Sequence, residues 1–273
     1  MAQERRAPSH RLAACAHPLP LTGERTLPGV PRERYWFARH VAGYQRAASA
    51  LAAYGRAASA ATRVLDAGCG EGYGAGLLAR RLATPGPAGR RPRVVGVDYA
   101  PDVIAHASAR YPQHAFAVAE VTVLPFSDGA FDLAVSSQVI EHLWDVGRWL
   151  EEMARVLAPG GAMAVLTPNR RTFSPGGGPP ANPFHATEFD AGELAAALEA
   201  RFAVVAVEGI GHGQRLTALE RRHGVALPDA QASAPPAQWP PWLVRAVATA
   251  RPDDFALAPA PTSLDLLATV VRR

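Results

Sequence analysis

Short apolar runs alternate along this chain with segments in which apolar residues recur every three or four positions. In order, the runs read as a strand, a turn and a helix ("RVLDAGCGEGYGAGLLARRLA"), a strand ("RVVGVDYA"), a helix ("PDVIAHASARY"), two strands ("AFAVAEV", "FDLAVSSQVI"), a helix ("EHLWDVGRWLEEMARVL") and a strand ("APGGAMAVLTPN"). Strands that alternate with helices at this spacing predict a parallel sheet with helices on both faces.

The pattern continues on both sides of this block. A helix ("DAGELAAALEARF"), a sixth strand ("AVVAVEGI") and a seventh ("SLDLLATVVRR") follow it. Residues 31–55 open with proline and carry a predominantly apolar face, which predicts an N-terminal helical cap of one or two helices. Residues 211–262 form an insertion before the last strand, too long for a simple connection. We expect a flexible tail over 1–20 and a single domain over 21–273.

Composition narrows the class of protein. The 273 residues are 48% hydrophobic and 19% charged, which is typical of a globular domain. All 28 basic residues are arginines, scattered without a basic stripe, so nucleic acid is a poor candidate partner. No apolar run reaches membrane-spanning length and the N-terminus is a poor signal peptide, so we expect a cytoplasmic protein that binds no membrane. The two cysteines, Cys15 and Cys69, do not imply a disulfide.

The first strand leads into a turn dense in glycine, which suits a close approach between backbone and ligand. Gly68, Gly70 and Gly72 make this turn, Asp66 precedes it, and Asp98 ends the next strand. A carboxylate at the position of Asp98 can bind two ribose hydroxyls. The pyrophosphate of a dinucleotide would be repelled by Asp66, whereas an ammonium and a sulfonium would not. The turn therefore favours S-adenosylmethionine over NAD.

The strand "FDLAVSSQVI" ends in adjacent acidic and imidazole side chains, Glu141 and His142. A helix start would favour a carboxylate there, but ligands of open α/β sheets also bind at the carboxyl ends of strands. His185 follows the fifth strand and reaches the same edge. Two imidazoles and a carboxylate suit a divalent ion with mixed nitrogen and oxygen ligands.

Four motifs resemble, in order and spacing, those of class I S-adenosylmethionine-dependent methyltransferases. They are "VLDAGCGEG", "VVGVDYAPDVI", "AEVTVLPFSDGAFDLAVSSQVIEHL" and "RVLAPGGAMAVLTPN", over roughly residues 60–170. The resemblance implies a Rossmann-like, seven-stranded, mostly parallel sheet with an antiparallel last strand. It implies that the turn contacts the methionine part, Asp98 the ribose, and Glu120 and Val121 the adenine. The cofactor-binding set expected on this basis is Asp66, Ala67, Gly68, Gly70, Gly72, Asp98, Tyr99, Glu120, Val121 and Gln138.

The pattern "QVIEH", followed by "TPN" and a loop histidine, resembles metal-dependent sugar-hydroxyl methyltransferases, among them the small-RNA 2′-O-methyltransferases. The resemblance implies that Glu141, His142 and His185 bind a divalent ion, with Mg2+ expected. The RNA enzymes have glutamate where this chain has Gln138, a weaker neutral ligand. His142 is the candidate catalytic base; a water on the metal, or His185, is the alternative.

Further stretches resemble one narrower group, the actinobacterial sugar 1-O-methyltransferases of methylmannose polysaccharide biosynthesis. They are "LTGERTLP", "YWFARHVAGYQR", "QVIEHLWD", "TPNRRTFSPG", "NPFH", "RHGVALPDAQ" and "SLDLLATVV". This implies O-methylation of the 1-OH of a short 3-O-methylated mannoside, and a homodimer.

Other functions stay open at this point. A phenolic, quinone-precursor or natural-product acceptor is the alternative substrate class, and a cofactor-binding regulator without catalysis is a third reading. Trp239 and Trp242 either stack on a sugar or form a packed corner.

Overall fold

The structure is a computed structural model of the chain. It describes residue 26 and residues 28–54, 62–83, 91–176 and 178–273. The predicted tail, residues 1–20, and Cys15 lie outside the described residues.

Eight strands and nine helices make up the described part of the chain. The strands are β1 Arg63–Ala67, β2 Arg93–Asp98, β3 Ala115–Val118, β4 Phe131–Ser137, β5 Leu157–Pro168, β6 Phe202–His212, β7 Phe255–Ala258 and β8 Asp265–Arg272. The helices are α1 Arg34–Ala52, α2 Tyr73–Arg81, α3 Pro101–Arg110, α4 Val146–Val156, α5 Arg170–Phe173, α6 Ala191–Glu199, α7 Gln214–His223, α8 Leu227–Ala232 and α9 Pro241–Ala248.

All eight strands form one sheet in the order β3-β2-β1-β4-β5-β8-β6-β7. Strands β1 to β5 pair in parallel, and β8 runs antiparallel between β5 and β6. The predicted Rossmann-like, mostly parallel sheet with an antiparallel last strand is therefore confirmed. The predicted number of seven strands is wrong, because β7 adds an eighth strand at the edge beside β6.

Strand β7 could not be recognised from its own residues. It has four residues, "FALA", whose apolar character fits a helix or a loop equally well. It pairs antiparallel with Gly209–His212, the end of β6, which runs two residues past the predicted strand "AVVAVEGI". The edge strand thus depends on hydrogen bonds to a segment more than forty residues away.

Helices cover both faces of the sheet, as expected. On one face α1, α2 and α9 bury side chains such as Tyr35, Leu78 and Leu243 against the strands. On the other face α4 and α6 bury Trp149 and Leu194. The central strands are buried on both sides, which explains why β4 reads as a continuous apolar run rather than an alternating one.

The N-terminal cap is a single helix, α1, preceded by a 3-10 turn over Pro31–Glu33. The insertion before the last strand contains α7, α8, α9 and β7. Within it the Trp242 ring stacks on His223 with centroids 4.0 Å apart, and the Trp239 indole N–H donates to the Ala234 carbonyl oxygen. The two tryptophans therefore form the packed corner rather than an open stacking surface.

Candidate active site

A cavity of about 400 Å³ opens at the carboxyl ends of β1, β2, β3 and β4, with α1 on one side. Its wall consists of backbone from the glycine turn and side chains from the strand ends and α1. The residues are Thr26, His40, Tyr44, Gly68, Cys69, Gly70, Glu71, Tyr73, Asp98, Tyr99, Ala119, Glu120, Val121, Ser137, Gln138, Val139, His142, Leu143 and Phe184.

The glycine turn needs its glycines for two reasons. Gly68, Gly70 and Gly72 have φ angles of 81°, 49° and 83°, which favour residues without a Cβ. A Cβ on Gly68 would also lie 2.3 Å from a methyl carbon of Val139. Gly68 and Gly70 line the cavity, whereas Gly72 is outside the wall, packed against Phe116. The backbone at this turn can therefore closely approach a bound molecule.

The carboxylate of Asp98 is held at the cavity wall by backbone donors. One oxygen accepts from the Gly70 N–H at 3.1 Å and the other from the Ala100 N–H at 3.1 Å. Glu120 and Val121, after β3, line the same cavity, as does the half-exposed Tyr99. Four of the predicted cofactor residues therefore meet at one wall.

Asp66 and Ala67 do not line the cavity; they are fully buried at the end of β1. One Asp66 oxygen accepts a hydrogen bond from the Tyr44 hydroxyl at 2.9 Å, and the other has no hydrogen-bond partner in the described part of the chain. Burial raises the pKa of Asp66 to about 7, and the charge of Asp98 adds to this, although the Tyr44 hydrogen bond opposes it. Asp66 therefore faces α1, and its predicted contact with the methionine part stays a prediction.

Sequence reasoning missed His40 as a wall residue. It lies on α1 one turn before Tyr44, and the spacing of four puts both on one helix face, a signal that "YWFARHVAGY" carries. Its Nδ1 is 3.3 Å from the Thr26 hydroxyl and 3.4 Å from the Tyr73 hydroxyl. Burial lowers the pKa of His40 to about 3, with a further contribution from Arg39, so the ring is neutral at pH 7.

Glu141, His142 and His185 come together as predicted, with one ligating atom from each within 4.8 Å of the others. Glu141 and His142 lie in a 3-10 turn after β4, and His185 lies in the loop before α6. The Glu141 carbonyl oxygen accepts from the N–H groups of Ala186 and Thr187 at 2.7 and 3.1 Å. These backbone bonds hold the loop against the turn.

The Glu141 carboxyl group is fully buried, and only one of its two oxygens is hydrogen-bonded within the described residues. One oxygen accepts from the Thr167 hydroxyl at 3.0 Å, and the other has no hydrogen-bond partner among the described residues. Burial raises the pKa of Glu141 to about 8 despite hydrogen bonds that lower it. A buried, unpartnered carboxyl oxygen beside two imidazoles fits a cation as its missing partner.

Hydrogen bonds set the orientation of both imidazoles. His142 Nδ1 donates to the Phe184 carbonyl oxygen at 2.9 Å, so Nε2 carries the lone pair in the neutral ring. His185 Nδ1 donates to a Glu188 oxygen at 2.7 Å, and His185 Nε2 accepts from the Asn182 amide at 3.0 Å. Burial alone would raise the pKa of Glu188, but the hydrogen bond from His185 lowers it. The Glu188 carboxylate is an outer partner of the kind that metal-binding histidines have, whereas the Asn182 amide occupies the lone pair that His185 would give to a metal.

Gln138 lies at the cavity wall, directly after β4. Its φ of 57° is the one positive value for a non-glycine residue in the described ranges.

The described ranges contain no helix that is both long and apolar enough to cross a membrane.

Comparison with known proteins finds relatives over nearly the whole chain. Residues 65–165 match the family model described as "Methyltransferase domain". A probable S-adenosylmethionine-dependent methyltransferase of Mycolicibacterium smegmatis is 46% identical, over 93% of this chain and 95% of that protein. A protein of the same description from Mycobacterium tuberculosis is 44% identical, over 93% of this chain and 90% of its own.

The fold is also found among solved structures. A geranyl diphosphate C-methyltransferase from Streptomyces coelicolor superimposes with a TM-score of 0.53 at 18% identity, covering 83% of this chain and 79% of its own. At that identity the likeness concerns the fold alone. The two mycobacterial relatives match over nearly their whole length, and the family model matches the motif region. This chain therefore belongs to the class I S-adenosylmethionine-dependent methyltransferases.

Proposed function

We propose that the enzyme methylates a sugar hydroxyl, namely the 1-OH of a short 3-O-methylated mannoside. The observation that carries this proposal is the cluster of Glu141, His142 and His185 at the edge of the cavity. A hydroxyl is a poor nucleophile until its proton is removed, and this cluster offers both a base and a site for a cation. The resemblance to sugar 1-O-methyltransferases, in stretches from Leu21 onward, supports the choice of acceptor.

In this proposal S-adenosylmethionine occupies the cavity described above. The backbone at Gly68 and Gly70 contacts its methionine part, and the carboxylate of Asp98 accepts from the ribose hydroxyls. Glu120 and Val121 face the adenine. The support is that all five residues line one cavity of about 400 Å³, a size that suits a small ligand.

His142 is the proposed base. Its Nδ1 is occupied by the Phe184 carbonyl oxygen, so Nε2 takes the proton from the acceptor hydroxyl. The hydroxyl oxygen then bonds to the methyl carbon as the carbon–sulfur bond breaks, and the bonding electrons return to sulfur. An anomeric hydroxyl is more acidic than an ordinary alcohol, which eases proton removal. The protein's main contribution is alignment of the two reactants.

Glu141 would hold a divalent cation together with His185, once the Asn182 amide releases His185 Nε2. His142 would be the third donor if its Nε2 turned to the ion instead of the acceptor. A bound cation would lower the pKa of a hydroxyl next to it. Magnesium is the ion that the resemblance implies, but two imidazole donors also suit softer ions, so manganese belongs in the test. Glu188 would orient His185, and Thr167 would orient Glu141.

The test is methyl transfer from labelled S-adenosylmethionine to a 3-O-methylated mannoside, with magnesium, with manganese and with a chelator. Cation-dependent labelling at the 1-OH would support both the acceptor and the metal. Labelling that a chelator leaves unchanged would retain the sugar and reject the metal. Tight cofactor binding without labelling would reject the sugar acceptor.

One observation favours the alternative acceptor class. Leu143 and Phe184 line the cavity next to His142, and no arginine is among the described wall residues. Apolar side chains beside the base suit a phenol or a quinone precursor. A phenolic acceptor belongs in the same labelling assay, where transfer to it rather than to the mannoside would identify this second function.

A further inference from the structure

Gln138 is held in an uncommon backbone conformation at the end of β4. Its φ of 57° lies in the left-handed region, where side chains other than those of glycine, asparagine and aspartate are uncommon. Its N–H donates to the Leu166 carbonyl oxygen on the neighbouring strand at 2.8 Å, so the conformation is tied to the sheet. Strained residues of this kind concentrate where a side chain must be aimed at a ligand.

The side chain of Gln138 is tied as well. Its Nε2 donates to a carboxylate oxygen of Asp265 at 3.1 Å. A carboxylate can only accept, so the amide nitrogen must face Asp265 and the amide oxygen must face away from it. Gln138 lines the cavity and Asp265 does not, so an amide oxygen that faces away from Asp265 can point towards the cavity.

Asp265 is fixed in turn by Arg39 of α1. The guanidinium donates to both carboxylate oxygens, with Nε 2.6 Å from Oδ2, and both side chains are at least 96% buried. The guanidinium also lies over the rings of Phe173 and Trp36, at 4.8 and 5.4 Å from their centroids. A bidentate pair of this kind holds its planar groups in one orientation.

We propose that Arg39 and Asp265 are positioning residues that aim the Gln138 amide oxygen into the cavity, where it accepts a hydrogen bond from the ligand. The donor is either the ammonium group of the cofactor or a hydroxyl of the acceptor. The inference rests on the proposed placement of the cofactor. It also gives a reason for glutamine at this position, since a glutamate would set a second carboxylate against Asp265.

The test is a cycle of three variants compared with the wild-type enzyme. Gln138→Met keeps the side-chain length and removes the amide. The double variant Arg39→Met/Asp265→Leu removes the ion pair without leaving a buried charge unpaired, a change that proteins often tolerate. The third variant combines all three substitutions. The dissociation constant of S-adenosylmethionine and the KM of the acceptor are measured for each.

We expect Gln138→Met to weaken one of the two ligands roughly tenfold, as for the loss of one hydrogen bond to a polar or charged group. The double variant should weaken the same ligand by a similar factor, and the combined variant should be no worse than either. A change in the cofactor constant identifies the ammonium as donor, and a change in KM identifies the acceptor hydroxyl. Additive losses, or a double variant with both constants unchanged, would overturn the proposal.

The control is a second arginine–aspartate pair, Arg215 and Asp254. Their charged groups are 2.5 Å apart, and neither residue lines the cavity. Arg215→Met/Asp254→Leu should leave both ligand constants unchanged. If Arg39→Met/Asp265→Leu does not fold, Asp265→Asn replaces it: asparagine keeps the shape, but its amide can donate as well as accept, so the Gln138 amide is no longer held in one orientation and the same ligand should weaken. Unchanged constants in Asp265→Asn would then count against the proposal.

Gly68→Val separates this inference from the proposed function. If Gly68→Val loses cofactor binding while Gln138→Met keeps both wild-type ligand constants, the positioning role is rejected and the placement of the cofactor stands. Unchanged cofactor binding in Gly68→Val would reject the placement of the cofactor itself.

Discussion

The two histidines of the cluster have different partners, and these suggest different roles. His142 donates to a backbone carbonyl oxygen, whereas His185 donates to the buried carboxylate of Glu188. A carboxylate stabilises the positive charge that an imidazole acquires on a metal, and a carbonyl does so less. His142 also lines the cavity and His185 does not. This division favours His142 as base and His185 as ligand, and binding of a metal by His185 requires that the Asn182 amide turn away from Nε2 and release its lone pair.

Replacing His142 should therefore affect catalysis more than cofactor binding. We expect His142→Ala to lower kcat by about 10²- to 10⁴-fold, the usual contribution of a general base, with little change in the dissociation constant of S-adenosylmethionine. Steady-state methyl transfer and calorimetry would measure the two quantities. His223→Ala is the matched control, because His223 stacks on Trp242 within the insertion. An unchanged kcat in His142→Ala would move the base role to His185.

Glu188 should act through His185. We expect Glu188→Gln to weaken binding of Mg2+ or Mn2+ by about 10- to 100-fold, as for other outer partners of metal ligands. Calorimetric titration of the enzyme with each ion, before any acceptor is added, is the measurement. Glu199→Gln is the control, because it makes the same substitution at an exposed glutamate at the end of α6. Equal ion affinity in both variants would mean that the hydrogen bond to His185 is only structural.

At the scale of elements, α1 links the sheet to the cavity. It supplies His40 and Tyr44 to the wall and Arg39 to the buried ion pair with β8. Helix α2 packs closely against it at Gly74, where a Cβ would lie 2.5 Å from the Tyr44 ring and 2.6 Å from an Asp66 oxygen. Three elements, α1, α2 and β1, therefore meet at a glycine.

This packing predicts opposite effects for two glycines of α2. Gly74→Ala should destabilise the protein by roughly 1–3 kcal/mol, as overpacking does, and weaken cofactor binding by displacing Tyr44. Gly76→Ala should be neutral or stabilise by up to about 1 kcal/mol, because its nearest atoms are 3.4 Å or more away and alanine favours the helix. Denaturant unfolding and cofactor calorimetry would measure both. Equal stability of the two variants would contradict the tight α1–α2 contact.

At the scale of the whole molecule, buried carboxyl groups make stability depend on pH in two windows. Glu152 has its pKa lowered to about 2 by hydrogen bonds from Arg155, which outweigh burial. It stabilises the fold above its ordinary pKa, and this contribution is lost as the pH falls towards 2. Asp66, whose pKa is raised to about 7, stabilises the fold at low pH instead. Its contribution is present below pH 4 and is lost as the pH rises through about 7.

Asp66→Asn tests the second window, since asparagine can keep the Tyr44 hydrogen bond but does not titrate. Between pH 4 and pH 8 the free energy of unfolding of wild type, relative to this variant, should fall by about 4 kcal/mol at most, from 1.36 kcal/mol per pKa unit. Denaturant unfolding without cofactor, in a chelator, measures it at each pH. A difference that stays constant over this range would show that Asp66 does not titrate there.

Much of the fold could be predicted because its signals are local. The alternation of apolar runs and amphipathic segments indicated strands β1 to β6 and β8 and helices α1 to α4 and α6, since burial on both faces leaves continuous apolar runs. The edge strand β7 was missed because its four residues carry no period of their own. The packing of Trp242 was left open because its stacking partner, His223, lies on a different helix of the insertion, α7 rather than α9.

The sequence by itself determined the family, the glycine turn and the residue types at the strand ends. These are local, because a strand, a tight turn and a helix require particular residues at fixed spacing. Only the tertiary structure decided which side chains share the cavity. It placed His40 in the wall, turned Asp66 towards α1, and tied Gln138 to Asp265 and Arg39. Such contacts join residues up to 226 positions apart, and they depend on three-dimensional packing that no local pattern encodes.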